Sequence, residues 1–588
     1  MINMNGGSAK RPPLGDHSAD HRLLLLAGMA VVVGSVSAMG AWLLLRLIAL
    51  ATNFFWFGRL SAAESTIADT GLGLGIIAIP IIGSLIVGLM ARFGSDKIRG
   101  HGIPEAIEAI LYGESRLSLK VAILKPVSSA ISIGSGGPFG AEGPIIMTGG
   151  AVGSLFAQCF HLSATERKTL LVAGAAAGMT GIFGTPLAAI LLAIEVLLFE
   201  WKPRSFVPVV VAVLVSWSWR PALIGAGPLF SLQAAMPSGY WPLLAAAGIG
   251  TVVGLEAALL STSLYKIEDL FHRLPIHWMW WPALGAIVVG LGGYMDPRVL
   301  GAGYANIQSM LADTMTIKMV VTLLAIKAIV WIVALGSGTS GGVLAPLLIL
   351  GGAVGCLAGH ALPGDPGFWT MIGMAAMMSG AMRAPLTGAL FAGELTGRFE
   401  ALPLTLAAAA AAYAVSVLVM RRSILTEKIA RRGRHVLQEY TVDALDFTQA
   451  AQIMTAGPAT LSGNLSVAGA LSFFTEEAIH RSYPVVDGEN RLLGLVSRSD
   501  ALRWRNGDVT LEATLAETLS DRSQPVAYPD TPSSFIADLI IETGVGRIPV
   551  VDPQTRKVVG IVSRQDLLKV RSVNRASETM RSRMIGQR

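Results

Sequence analysis

Long apolar runs separated by short polar stretches dominate the chain up to about residue 435. The longest runs cover residues 23–50, 72–90, 206–219, 279–294, 319–335 and 402–420. A straight helix needs about 20 apolar residues to cross a bilayer, so this pattern predicts an all-α, multi-pass membrane domain. Several runs are shorter than that or contain glycines, which predicts tilted or broken helices.

From residue 436 onward the pattern changes to charged residues alternating with short Val/Ile/Leu segments, which is typical of a soluble α/β region. This region repeats: YPVVD at 483–487 precedes GLVSRSD at 494–500, and IPVVD at 548–552 precedes GIVSRQD at 560–566. The pattern therefore predicts three parts of the chain: an N-terminal tail (1–21), a membrane domain (22–435) and a soluble module (436–588) with units at about 448–505 and 515–572.

The composition agrees with a lipid environment, because 52% of the residues are hydrophobic and only 14% are charged. Basic residues cluster directly after the last apolar run, at positions 421, 422, 428, 431, 432 and 434. The positive-inside rule places that end in the cytoplasm. The net charge of +6 is therefore attributed to topology and lipid contact, and no nucleic-acid binding is predicted.

The N-terminal stretch is polar through Arg22 and does not resemble a cleavable signal peptide. Both termini are predicted to be cytoplasmic, with the chain in a bacterial inner membrane. Cys159 and Cys356 lie in apolar surroundings, so neither a disulfide nor a metal site is predicted. No nucleophile–base pair or phosphate-binding loop stands out. We therefore predict that the protein is not an enzyme and requires no cofactor.

The membrane domain also repeats internally. GSGGPFGAEGP at 134–144 aligns without a gap with GSGTSGGVLAP at 336–346, and each is followed by GGAVG. TPLAAILLAIE at 185–195 matches APLTGALFAGE at 384–394, and GHG at 100–102 matches GAG at 301–303. We therefore predict two related halves, about 22–235 and 236–435, and helices broken at matched places favour an inverted pair.

The glycines and prolines of these stretches suit an anion site. A helix N-terminus presents unpaired N–H groups and roughly half a positive charge, which can hold a partly dehydrated anion without trapping it. Glycine lets the backbone approach the ion, and proline is favourable in a first helical turn, a position that Pro104, Pro144 and Pro346 all fit. The alternative for any single motif is close helix packing. Taken together, the motifs favour an anion path.

GHGIPEAIEA (100–109), GAEGP (140–144) and GVLAP (342–346) resemble, in order and spacing, the selectivity motifs of the CLC chloride channels and transporters. The C-terminal repeat resembles a tandem pair of CBS domains, a common arrangement in that family. The resemblance implies a homodimer of inverted-repeat subunits, each with its own chloride path. The implied anion-binding residues are Gly100, His101, Gly102, Ile103, Pro104, Gly140, Ala141, Gly143, Pro144, Gly342, Val343, Leu344, Ala345, Pro346 and Leu425.

Glu142 stands at the position of the family's gating glutamate. The resemblance implies that its ionised side chain occupies an anion site and swings away when protonated. A carboxylate inside a membrane is costly unless it has a function. Its counterpart in the second half is Leu344, so the repeat itself does not require an acid here. The alternative is a glutamate that only caps its helix.

The second glutamate of the family's coupled antiporters, the inner proton acceptor, falls at Val196. Glu195 lies one residue earlier, about 100° around a helix, and has a twin in Glu394, which favours a structural hydrogen-bonding role in both halves. We therefore predict passive anion conduction, with a proton-coupled chloride antiporter as the alternative. A CBS-regulated divalent-cation channel is a weaker alternative, because its pore should present acidic side chains or carbonyl rings.

Three residues depart from the family pattern. His101 replaces a serine that binds the anion, Leu425 stands in place of a pore tyrosine, and Ala141 replaces a basic residue. These changes leave the preferred anion open. His101 is predicted either to contact the anion or to turn away and bond a backbone carbonyl. Lys125 either raises the positive potential near the inner pathway or extends to the interface.

In the CBS pair, the resemblance points to Ser497, Asp500, Ser563 and Asp566. Family members that bind adenine nucleotides use the aspartates on the ribose and the serines near phosphate, whereas other CBS pairs bind nothing. Nucleotide binding is therefore left open. A bound nucleotide would regulate flux only through its different affinity for two gating states.

Overall fold

The structure is a computed structural model that describes residues 21–67, 72–434, 436, 445, 448–507, 509–520 and 524–570. The described residues up to 436 belong to one compact unit, here called the membrane unit, and those from 445 onward belong to a second. The proposed N-terminal tail, except for His21, lies outside the described residues, as do the last residues of the second CBS unit.

The regular secondary structure described for the membrane unit is helical. Its first half contains α1 (Arg22–Phe57), α2 (Gly75–Phe93), α3 (Ile103–Tyr112), α4 (Leu119–Gly134), α5 (Glu142–Gln158), α6 (Ala164–Phe183), α7 (Pro186–Leu192) and α8 (Pro203–Leu223). Its second half contains α9 (Trp241–His272), α10 (Trp281–Met295), α11 (Tyr304–Leu311), α12 (Ile317–Gly336), α13 (Leu344–Gly359), α14 (Pro366–Met382), α15 (Pro385–Thr396), α16 (Leu402–Val419) and α17 (Ile424–Arg431). A π-helical turn, Ala193–Leu198, continues α7.

Several helices are long and apolar enough to cross a membrane. Within the described residues these are α1, α2, α8, α9, α12 and the stretch Phe399–Arg431, which contains α16. The prediction of a multi-pass membrane protein is thereby confirmed. The apolar runs did not locate α9, because Glu256, Lys266 and Glu268 interrupt its hydrophobic sequence.

The two halves pack their glycine-rich helices in the same way, α5 against α6 and α13 against α14. A Cβ atom on Gly149 would lie 2.2 Å from the carbonyl oxygen of Gly174, and one on Gly351 would lie 2.6 Å from that of Gly373. Such contacts are too short for a real Cβ atom, so only glycine permits these crossings. These glycines thus allow the equivalent helix pairs of the two halves to pack closely against each other.

The second unit is a mixed α/β structure, as predicted. Its elements are α18 (Ala450–Ile453), β1 (Thr455–Ala456), β2 (Leu461–Ser462), α19 (Val467–Glu476), β3 (Ser482–Val486), β4 (Leu492–Ser497), α20 (Arg498–Arg505), α21 (Leu515–Leu519), α22 (Ser533–Thr543), β5 (Arg547–Val551) and β6 (Val558–Ser563). One sheet has the order β2-β3-β4 and the other β1-β6-β5.

The repeated sequence motifs form equivalent antiparallel hairpins in the two sheets. Val485 pairs with Gly494 in β3 and β4, and Val550 pairs with Gly560 in β5 and β6. β1 precedes both hairpins in the chain yet pairs with β6 of the second one. β1, which comes before the first repeat in the chain, thus completes the sheet of the second repeat, and this pairing connects the two repeats into one module.

Candidate anion-binding site

The two glycine-rich stretches of the membrane unit pair directly with each other. The N–H of Gly140 donates to the carbonyl of Gly342 at 3.2 Å, and the N–H of Gly342 donates to the carbonyl of Gly140 at 2.9 Å. α5 begins two residues after Gly140, and α13 begins two residues after Gly342. This antiparallel bridge therefore holds the N-termini of α5 and α13 side by side.

The segment before α3 joins the same bridge. The N–H of Gly100 donates to the carbonyl of Thr339 at 3.0 Å, and the carbonyl of Gly100 accepts from Gly341 at 3.4 Å. α3 begins three residues later at Ile103, and its Pro104 lies in the first turn, as Pro144 and Pro346 do in α5 and α13. The three predicted motifs thus converge through backbone hydrogen bonds.

The side chain of Glu142 lies at the meeting point of α5 and α13 and is fully buried. A Cβ atom on Gly140 would lie 1.9 Å from Oε2 of Glu142, and one on Gly342 would lie 2.6 Å from it. The N–H groups of Glu142 and Ala345 face the carboxylate without a hydrogen bond of normal geometry. Oε2 lacks a hydrogen-bond partner among the described residues. The glycines therefore leave room for the carboxylate against two helix N-termini.

Tyr304 is a site residue that the sequence analysis missed. It is the first residue of α11, and its hydroxyl donates to Oε1 of Glu142 at 3.3 Å. The N–H of Ala141 faces the same hydroxyl. In the internal repeat Tyr304 corresponds to Ile103, which the motif analysis already included. Aligning each motif residue with its counterpart in the other half therefore identifies Tyr304 as a candidate.

His101 is buried, with 2% of its surface exposed, and neither ring nitrogen has a hydrogen-bond partner in the described part of the chain. The alternative in which the ring bonds a backbone carbonyl is therefore wrong. The carbonyl of His101 instead packs over Gly143, where a Cβ atom would lie 1.8 Å from the oxygen. Leu425 is also buried, on the first turn of α17.

His101 lines a cavity of about 570 Å³ in the membrane unit. The charged residues around this cavity are Asp96, Arg99, Glu268, Asp269, Lys428, Arg431 and Arg432. Lys428 pairs with Glu105 at 3.0 Å, and Arg431 pairs with Asp269. The cavity is therefore polar and carries both signs of charge, with His101 and Gly100 on its wall.

Lys125 is buried and donates to the carbonyl oxygens of Ile98 at 2.8 Å and Gly100 at 2.7 Å. Its repeat equivalent Lys327 donates in the same way to Val299 at 2.8 Å and Gly301 at 2.9 Å. Both lysines hold the segment before a short helix. The alternative in which Lys125 extends to the membrane interface is therefore wrong, and an effect on the anion path stays a prediction.

Glu195 and Glu394 cap each other's helices. The Glu195 carboxylate accepts from the N–H groups of Leu386 at 3.2 Å and Thr387 at 2.9 Å, at the start of α15. The Glu394 carboxylate accepts from Leu187 at 2.9 Å and Ala188 at 2.8 Å, at the start of α7. The hydrogen bonds expected of a structural role are thus present in both halves. Val196 is buried beside Glu195.

The serines and aspartates of the CBS pair make the same local contact in both repeats. Oδ2 of Asp500 accepts from the N–H of Ser497 at 2.9 Å and from its hydroxyl at 2.6 Å. Oδ2 of Asp566 accepts from the equivalent groups of Ser563 at 2.9 and 2.7 Å. Each pair caps the helix that follows its strand, and Oδ1 of Asp500 also accepts from Arg503 at 2.5 Å.

The membrane unit has two related halves, and their glycine-rich motifs bring helix N-termini together. A repeated α/β module comes after it in the chain. These features indicate a class of membrane proteins that transport anions. Residues 82–417 match the model of the voltage gated chloride channel family, and residues 450–507 and 517–573 match the CBS domain. The chain therefore belongs to the voltage-gated chloride channel (CLC) family and carries a C-terminal CBS pair.

Curated relatives and solved structures agree with this assignment. The voltage-gated ClC-type chloride channel ClcB of Shigella flexneri is 29% identical over 371 residues, which cover 60% of this chain and 87% of that protein. A slow cyanobacterial Cl⁻/H⁺ antiporter has a TM-score of 0.62 at 20% identity, over 71% of this chain and 99% of its own. A eukaryotic CLC transporter has a TM-score of 0.58 at 20% identity, over 93% and 98%. The two structures show the shared fold.

The reciprocal caps make a testable prediction. Glu195→Ala and Glu394→Ala should each destabilise the protein by about 1 kcal/mol or more, because each leaves N–H groups at a helix start without an acceptor. The measurement is the unfolding temperature of the purified protein in detergent, with Glu64→Ala, at an exposed position, as the matched control. An unchanged unfolding temperature for Glu195→Ala would contradict the structural role.

Proposed function

We propose that this protein conducts chloride or a similar small anion passively across the membrane, with Glu142 as the gate. The observation that carries the proposal is the position of the Glu142 carboxylate. It lies where the N-termini of α5 and α13 meet, in a space that Gly140 and Gly342 leave open. A carboxylate oxygen there takes the place of a transported anion.

The gating step follows from electrostatics. Two helix N-termini favour a negative charge between them, so the ionised carboxylate and an anion compete for one place. Protonation removes the charge of Glu142 and with it most of this attraction. The side chain can then leave, and an anion can take up the N–H groups of Gly143, Leu344 and Ala345 nearby. Acid should therefore open the path.

On the other side of the site, His101 and the cavity form the proposed inner approach. The ring nitrogens of His101 have no hydrogen-bond partner among the residues that the structure describes, so a ring N–H can donate to an anion in place of the hydroxyl of the family's usual serine. Leu425 offers only its backbone N–H on α17. Lys428, Arg431 and Arg432 raise the positive potential around the cavity, although each is paired with an acid.

Passive conduction is favoured over proton exchange by two residues. Val196 stands where an inner proton acceptor would stand, and Glu195 is committed to capping α15. Among the described residues of the membrane unit, buried carboxylate oxygens without a partner occur on Glu105, Glu142 and Glu256. Glu105 is ion-paired with Lys428 and Arg432. Glu256 on α9 is therefore the relay we would assign to the alternative, a proton-coupled antiporter.

The remaining parts of the proposal rest on the family resemblance and the charge pattern. We propose a homodimer with one anion path in each subunit, in a bacterial inner membrane, with both termini in the cytoplasm. The basic residues that follow α16 support this orientation. The domain boundaries proposed are 22–435 for the conducting part and 436–588 for the CBS module.

Proteoliposomes loaded with chloride test the gate. The parent should release chloride faster at acidic pH without moving protons uphill, and Glu142→Ala should release it at a rate independent of pH. The measurement is chloride efflux with simultaneous recording of external pH, and Glu195→Gln serves as the control that keeps the gate. If protons move uphill and Glu256→Gln abolishes that movement, the protein is a proton-coupled antiporter and the proposal of passive conduction is wrong. If no variant shows anion flux, the proposal of anion transport is overturned.

Tyr304→Phe tests how the gate is held. Loss of the hydroxyl removes a hydrogen bond to a charged group, worth about 1.5–3 kcal/mol at good geometry and less at 3.3 Å. The ionised Glu142 should then leave the site more often, and chloride efflux at neutral pH should rise about 2- to 10-fold. In the Glu142→Ala background the same substitution should change efflux little. Equal effects in both backgrounds would mean that Tyr304 acts on the anion and not on the gate.

We also propose that an adenine nucleotide binds the CBS pair through Asp566 and, in the first repeat, Asp500. Asp566→Asn should weaken ATP binding about 10-fold, because a ribose hydroxyl loses a charged acceptor. The measurement is calorimetric titration of the full-length protein with ATP, and Asp538→Asn, exposed on α22, is the matched control. Absence of binding in the parent would contradict this part of the proposal and leave the anion path untouched.

A further inference from the structure

Three side chains with metal-binding atoms gather at the C-terminal end of α13: Asp313, Cys356 and His360. Their donor atoms all lie within 4.8 Å of one another. The sequence analysis predicted no metal site, because Cys356 lies within an apolar run. The tertiary structure places a carboxylate and an imidazole beside that thiol, a grouping that the apolar run by itself does not show.

The positions of the three residues suit a single ion. Cys356 and His360 are four residues apart, on one face and one turn apart at the end of α13. Asp313 comes from the segment between α11 and α12, where its backbone adopts the left-handed conformation, with φ of 51°. Its Oδ1 lies 3.7 Å from Nε2 of His360. Donors around a four-coordinate zinc ion lie about 3.5 Å apart, so a small closure toward the sulfur completes the set.

The burial of the three residues is graded. Cys356 is fully buried, whereas the side chains of His360 and Asp313 are 23% and 38% exposed. An ion can therefore reach the imidazole and the carboxylate from solvent, and the thiolate closes the site from the protein side. One open position then remains for water, as in zinc sites with three protein ligands.

We propose that Asp313, Cys356 and His360 form a Zn²⁺ site. A thiolate, an imidazole and a carboxylate are all zinc ligands, whereas Ca²⁺ and Mg²⁺ take oxygen ligands almost exclusively. A thiolate also disfavours Mn²⁺ relative to Zn²⁺. The donor set therefore suits a divalent cation of intermediate softness such as Zn²⁺. The assignment of the chain to its family does not predict this site.

The three residues and Arg431 lie toward opposite ends of α9. The ring of Trp241, at the start of α9, contacts Trp369 at 5.7 Å between centroids, and Trp369 packs over Gly355 of α13. The other end of α9 carries Asp269, which pairs with Arg431. The 32 residues of α9 span about 48 Å, enough to cross the bilayer. With the orientation proposed above, the zinc site faces the outside.

Bound zinc would connect two elements that also meet at Glu142. Asp313 follows α11, whose first residue Tyr304 contacts the Glu142 carboxylate, and α13 begins beside that carboxylate. A zinc ion would therefore tie the far ends of α11 and α13 together and limit their relative movement. This consequence rests on the proposed function, whereas the binding site itself does not.

The test is metal binding to the purified full-length protein in detergent, with Zn²⁺ alone as the probe in calorimetric titration. We expect one site per chain. Cys356→Ser should weaken binding more than about 100-fold, since loss of a residue that merely supports a ligand already costs roughly 10- to 100-fold. His360→Ala and Asp313→Asn should each weaken it. Cys159→Ser, which removes the other cysteine, should bind as the parent does.

A second readout shows whether the thiolate is a ligand. Co²⁺ added in place of Zn²⁺ should give the thiolate-to-cobalt charge-transfer absorption in the parent and in Cys159→Ser, and it should be missing in Cys356→Ser. The unfolding temperature of each variant without metal verifies that the fold is intact. Zinc binding that is unaffected by Cys356→Ser and Asp313→Asn would overturn the proposal, as would no binding by the parent. Both results would leave the chloride efflux experiments unaffected.

Discussion

The backbone bridge between Gly140 and Gly342 is the constraint on which the rest of the membrane unit depends. It joins the two halves of the chain through a pair of hydrogen bonds and sets the starting points of α5 and α13. Helix N-termini repel one another electrostatically, since each carries partial positive charge. A negative group between them offsets this repulsion. The carboxyl group of Glu142 lies at that place in this structure.

The internal repeat distinguishes two kinds of buried polar group in this unit. Lys125 and Lys327 both donate to backbone carbonyls, and Glu195 and Glu394 both accept from backbone N–H groups, so these contacts recur in the two halves. Two other buried groups are different. Within the part of the chain that the structure describes, Oε2 of Glu142 and the ring nitrogens of His101 have no hydrogen-bond partner, and their repeat equivalents are Leu344 and Ala302. A buried polar group that the scaffold neither repeats nor satisfies is costly, which favours a functional role for it.

The hydrogen-bond donors of the proposed anion path differ from the family pattern. The resemblance implies a serine at the position of His101 and a pore tyrosine at that of Leu425, so this chain would carry two hydroxyl groups fewer on the proposed inner side. Tyr304, on α11, contributes one hydroxyl group, which lies beside Glu142. Since a hydroxyl and an imidazole N–H differ in size and reach, the anion preference of this chain need not follow that of its relatives.

The amino-acid sequence by itself determined the membrane environment, the two internal repeats, the family and the candidate position of Glu142, because hydropathy, repeated motifs and glycine or proline placement are local properties. It did not reveal Tyr304 at Glu142, the mutual capping by Glu195 and Glu394, or the grouping of Asp313 with Cys356 and His360. The first two contacts join residues far apart in the chain, and the third adds the distant Asp313 to Cys356 and His360, which are four residues apart. Such contacts depend on how the helices cross, and those crossings are decided by close backbone approach at glycines such as Gly149 and Gly351. Only the tertiary structure contains that information.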